Sequence, residues 1–99
     1  MFVNIRLSEI EKKALEYALQ SIVDSVYLFG SRLDLNKKGG DIDILIFTDR
    51  TDKVQYSFEI MSQFQQKCDS QIDVVVISKS KPSHEENVFL ETLTLRKIK

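Results

Sequence analysis

Ninety-nine residues, 42% of them hydrophobic and 29% charged, suffice for one domain spanning residues 1–99 with its own core. A formal net charge of −1 and a pI of about 5.8 give no global electrostatic reason to expect nucleic acid as a partner. The single cysteine, Cys68, excludes an intramolecular disulfide, and no run nears the roughly 18 apolar residues of a membrane span. Met1-Phe2-Val3 is too short for a signal-peptide core. A cytoplasmic protein without membrane attachment is expected.

In chain order, Met1 to Leu7 reads as a short lead-in. Ser8 followed by Glu11 has capping-box spacing, which predicts a helix from Glu9. Ile10, Ala14, Leu15, Ala18, Leu19 and Ile22 then recur at helical spacing and give one apolar face through about Ile22. Val26-Tyr27-Leu28-Phe29 reads as a short interior strand that ends at Gly30. Residues 30–40 form a turn and basic loop, with a short helix expected near Ser31. Backbone N–H groups at such a start attract anions, and the Ser31 hydroxyl adds a donor. Arg32 is placed either to reach a phosphate with two donors or to pair with Asp34 at the surface. Lys37 and Lys38 read as a solvated loop, and Gly39-Gly40 as a flexible turn into the next strand.

That strand opens at Asp41 and runs to Phe47. Beyond a polar loop, Asp52 is positioned to cap a second helix, with Val54, Phe58, Met61, Phe64 and Cys68 at spacings of three and four and Ile60 beside them. A third strand is expected from Ile72 to Ile77. Ser83 and Glu86 repeat the capping-box spacing before a helix reaching Leu90 or Thr92, and residues 92–98 alternate as a strand does. His84 reads as a surface residue and Cys68 as packing.

The chemistry concentrates in three aspartates. Asp41 and Asp43 lie two apart in a strand, so they share a face roughly 6.5 to 7 Å apart. Carboxylates that close, beside apolar neighbours, repel each other and lose hydration, which calls for a cation; oxygen-only ligands suit Mg²⁺ or another hard ion. Asp73 sits among Ile72, Val74, Val75 and Val76 and is out of place there without a partner. Each signal alone is weak. A Gly-Ser pair is most often only a turn, and an Asp-x-Asp pair is often a solvated edge. Their conjunction weighs more: nine residues separate Ser31 from Asp41, one motif ends a strand, and the other begins one.

This constellation resembles the DNA polymerase β-like nucleotidyltransferases, and within them the minimal nucleotidyltransferase (MNT) domains. The flanking wording Tyr27-Leu28-Phe29-Gly30-Ser31-Arg32 and Gly39-Gly40-Asp41-Ile42-Asp43 is similar to that branch, and the likeness covers nearly the whole chain. It implies an α+β fold, a small mixed sheet with helices packed mainly on one face. It implies that Asp41, Asp43 and Asp73 hold two Mg²⁺ ions and that Gly30, Ser31 and Arg32 bind the phosphates of ATP. It further implies transfer of AMP to a hydroxyl, with Asp73 as the proton acceptor. Because MNT domains are commonly paired with HEPN-domain helical proteins, the resemblance points to the antitoxin of a type VII-like toxin–antitoxin pair that modifies its HEPN partner. A non-catalytic module that neutralises such a partner by contact, and a structural metal-binding domain, are the competing readings. Self-association into a homo-oligomer stays open, as does the preferred base.

Overall fold

Ser8 and Glu11 start the first helix as their spacing predicts. In the computed structural model, which describes residues 4–99 and leaves Met1–Val3 of the lead-in outside, the Glu11 amide donates to Ser8 Oγ at 3.1 Å and the Ser8 amide to Glu11 Oε1 at 2.9 Å. The helix, α1 (Glu9–Leu19), buries Ala14, Leu15, Ala18 and Leu19. It stops short of the expected Ile22, where residues 20–22 turn away from the axis and the Ile22 amide bonds to the Leu19 carbonyl. The Lys99 ammonium donates to that same carbonyl, so a cation from the far end of the chain closes the helix C-terminus. Ile10, expected on the apolar face, is exposed.

Among the described residues four strands form, three of them on the apolar runs. β1 (Val26–Phe29) pairs antiparallel with β2 (Ile42–Thr48), and β2 pairs parallel with β3 (Ile72–Ser78). A parallel pair needs a crossover, and α2 (Lys53–Gln65) provides it. Only Arg96–Lys97 of the expected last strand forms a ladder, as β4 beside β1, because Leu93 and Leu95 turn onto the sheet instead. The strand order is β3-β2-β1-β4.

Alternation along these strands makes two apolar faces. Val26, Leu28, Ile42, Ile44, Ile46 and Ile72 pack with α1 and α2 into the main core. Phe29, Leu45 and Ile77 face the other way, under Leu90 of α3 (His84–Glu91) and the segment after it. Phe29 meets Phe89 edge to face at 5.9 Å. The result is an α+β sheet with two helices on one face and the third on the other, consistent with the nucleotidyltransferase fold. No helix among the described residues is long and apolar enough to cross a membrane.

The second helix meets the expected face in part, since Ile60, Phe64, Met61 and Cys68 pack into the core. Its buried stripe is Tyr56, Ile60 and Phe64, while Val54 and Phe58 are exposed at 74% and 64%. Tyr56 can be buried because its hydroxyl donates to Asp24 Oδ2 at 2.8 Å, which a hydropathy pattern does not reveal. Asp52 occupies the cap position without capping; its carboxylate takes two bonds from Arg50 instead.

Candidate active site

Strand pairing assembles the site. The register β1–β2 sets Phe29 opposite Asp43, and the register β2–β3 sets Asp43 opposite Asp73. All three lie on the sheet face away from α1 and α2. Gly30, directly after β1, therefore arrives against the Asp43 carboxylate. Its φ of +81° is left-handed, and a Cβ added there would collide with Asp43 Oδ2. Only glycine satisfies both conditions.

Asp43 is half-buried, whereas Asp41 and Asp73 are exposed. Asp73 thus escapes the burial expected from its β-branched neighbours by lying on an edge strand, and the partner expected for it is Asp43. Burial raises the Asp43 pKa above the ordinary carboxylate value, the charges of Asp73 and Asp41 raise it further, and a hydrogen bond with Asp73 adds to this. Asp41 stands just before β2 and acts on Asp43 through its charge. Among the described residues no three ligating side chains converge into a preformed metal cage. The donor set nevertheless fits a hard divalent cation, being made of carboxylate oxygens that repel one another and would be relieved by one.

The short helix expected near Ser31 is a single 3₁₀ turn, Gly30–Leu33. Ser31 Oγ packs directly over Gly40, where φ is +86° and an added Cβ would strike that oxygen. The two glycines let the phosphate-loop candidate close down on itself and on Asp43. Beside Gly30 an open groove of about 670 Å³ runs between residues 33–36 and 92–94.

Of the two roles the sequence left open for Arg32, the surface pairing with Asp34 does not form. The guanidinium turns inward and is 8% exposed. Nη1 and Nη2 donate to the two carboxylate oxygens of Glu11 at 2.8 and 2.9 Å, Nη1 also to the Arg6 carbonyl at 2.8 Å, and Nε to the Gly40 carbonyl at 3.1 Å. All three nitrogens are engaged within the protein. Its charge still reaches Asp43, where it opposes the rise in that carboxyl's pKa.

Three further residues hold the turn, and none was visible as functional in the sequence. Glu11, known there only as a capping residue, also accepts from Ser70 Oγ at 2.7 Å. The paired Arg32 lowers the Glu11 pKa from 4.5 to about 2 against the opposing effect of burial, with Ser70 and the Ser8 amide helping. Arg6 spans the loop with Nε on the Asp34 carbonyl at 2.7 Å and Nη2 on the carbonyls of Ser31 and Gly39 at 3.0 and 2.9 Å. These partners lie tens of residues apart, so no local spacing signals them. Lys37 and Lys38 are exposed, as their composition implies.

A family model described as polymerase beta, nucleotidyltransferase matches residues 11–97. No curated protein matches the chain.

Proposed function

Since the chain belongs to the polymerase beta nucleotidyltransferase family, we propose that it is a minimal nucleotidyltransferase that moves AMP from ATP to a hydroxyl on a partner protein. The observation that carries the reading is the register that faces Asp43 with Asp73 and presses Gly30 against Asp43. A strand register that stacks two carboxylates has no structural benefit in the free protein. It is useful where polyphosphate and cations meet.

In this reading Asp41, Asp43 and Asp73 hold two Mg²⁺ ions, which when bound neutralise charge on the phosphates and on the attacking oxygen. Gly30 lets the turn close against the Asp43 carboxylate, so that phosphate and metal would meet there, and Ser31 donates its hydroxyl. Arg32 and Arg6 are positioning residues: they fix the turn at Gly40, Ser31 and Gly39 so that its amides stay aimed. The acceptor oxygen attacks the α-phosphorus, the bond to the β-phosphate oxygen breaks, and pyrophosphate leaves. The acceptor's proton passes to Asp73, the more exposed member of the facing pair. The open groove beside Gly30 offers the sugar and base a wall without a deep pocket.

The acceptor side of the site is the exposed carboxylate face near the β3 edge. Such a surface suits a tyrosine, serine or threonine presented by a docked protein, and a HEPN-domain protein is the proposed partner. The test is incubation of the chain with α-labelled ATP, Mg²⁺ and a HEPN-domain protein, followed by intact mass measurement. Label on the partner that disappears with Asp73→Asn supports the reading. Label on a free small molecule, with none on the partner, overturns the choice of acceptor.

A further inference from the structure

We propose that this chain forms a two-fold dimer through the free edge of β3, which pairs antiparallel with β3 of a second copy, centred on Val75. β3 is the terminal strand of the sheet, seven residues long, whereas the opposite edge is a two-residue β4. The hydrogen bonds at its ends fix which groups point outward. The Gln71 carbonyl accepts from the Ile42 amide, and the Lys79 amide donates to the Thr48 carbonyl. Odd-numbered residues therefore bond to β2, and the N–H and C=O groups of Ile72, Val74, Val76 and Ser78 point away from the sheet. The strand contains no proline, no lysine and no bulge, and Asp73 is its one charged residue.

The occupant follows from charge. Asp69 and Asp73 lie at or before the start of the strand, and Lys79 and Lys81 just past its end. A second copy running antiparallel about Val75 sets Gln71 opposite Lys79 and brings Lys79 diagonally beside Asp73. A parallel neighbour in register would instead align acid with acid and lysine with lysine. The outward groups also match in this register, because Ile72 meets Ser78 and Val74 meets Val76 as hydrogen-bonded pairs, while Val75 meets its own copy as a non-hydrogen-bonded pair. The edge is thus complementary to itself reversed, the requirement for an isologous contact.

The same symmetry disposes the helices. α2 packs over β3, and it carries Val54 and Phe58 exposed one turn apart. A two-fold axis perpendicular to the joined sheet keeps both α2 helices on the same side, next to each other across the seam. The two Asp73 carboxylates then share the opposite face, each with the second copy's Lys79 within reach. The dimer would add the second copy's Lys79 to the rim of each site.

The test is independent of catalysis. Light scattering on the eluting protein should give twice the 11.5 kDa chain mass. Val76→Pro deletes one outward N–H and leaves the β2 ladder intact, so it should weaken association at least about tenfold with little change in secondary structure. Lys79→Glu, which sets a carboxylate diagonally beside the second copy's Asp73, should weaken it as well. In a Cys68→Ser background, Val75→Cys should form a covalent dimer on mild oxidation, because facing α-carbons in such a pair lie about 4.5 Å apart. Val23→Cys, at an exposed site elsewhere, should not. A monomeric mass at about 100 μM, or cross-linking no faster at position 75 than at position 23, overturns the proposal. A monomer whose β3 edge pairs only with a different protein overturns it too.

Discussion

Replacing Glu11 tests the reasoning about how the phosphate turn is held. In Glu11→Leu the Arg32 guanidinium stays almost buried while losing both carboxylate oxygens, at 2.8 and 2.9 Å, and Ser70 Oγ loses its acceptor. Removing one member of a buried pair typically costs about 3 to 5 kcal/mol, mostly from the charge left behind. The depressed Glu11 pKa agrees: a fall from 4.5 to about 2 corresponds to about 3 kcal/mol of preference for the ionised carboxylate in the fold. For a domain of this size that is a loss of roughly 12 to 25 °C in melting temperature. Arg32→Met alone should cost a similar amount, and the double variant much less than the two together, since no charge is then stranded. The double variant should still bind Mg-ATP poorly, because the bonds from Arg32 to the Gly40 and Arg6 carbonyls are gone. Urea melts of the four proteins supply the cycle. A Glu11→Leu cost below about 1 kcal/mol, with a coupling near zero, would mean the pair is no stronger than a surface ion pair and refute the argument.

The same depressed pKa makes stability pH-dependent with a defined sign. Ionised Glu11 contributes fully above pH 4.5, and its contribution should drain away as the pH falls toward about 2, whereas Glu11→Gln should lose that slope; acid melts monitored by circular dichroism check it. Gly30→Ala forces a side chain into a left-handed position and into Asp43 Oδ2, so it should destabilise by about 1 to 2 kcal/mol and weaken Mg-ATP binding further than stability alone explains. Equal ATP affinity in calorimetry would return Gly30 to an ordinary turn. Asp43→Asn should raise the melting temperature of the metal-free protein, because the buried carboxylate is held against its own burial and the charges of Asp73 and Asp41. A fall in melting temperature would contradict that account.

The strands and helix starts were legible because local rules decide them. Ser8 with Glu11 and Ser83 with Glu86 both form the capping boxes their spacing predicts. The apolar runs 26–29, 42–47 and 72–77 become strands because both faces of this sheet are covered over most of their length. Periodicity failed where a polar atom had a distant partner. Tyr56 goes inside because Asp24 is there for its hydroxyl, and that shifts the buried stripe of α2 away from Val54 and Phe58. Strand pairing, which no spacing encodes, sets Asp43 against Asp73. Arg32 was named for its donors, yet their direction depends on Glu11, 21 residues away. Residues that act by holding others, such as Arg6 and Ser70, leave no local signature.

The most direct test of the central claim is a thermal melt with Mg²⁺ and a non-hydrolysable ATP analogue, comparing wild type with Asp43→Asn and Asp73→Asn. If the three aspartates and the Gly30-Ser31 turn form a nucleotide–metal site, ligand at about 100 times its Kd should stabilise the wild type by about 2.7 kcal/mol. Both variants should show little of that gain, and none should appear in wild type when EDTA replaces Mg²⁺. An equal upward shift in all three proteins, or no shift in any, would contradict the site.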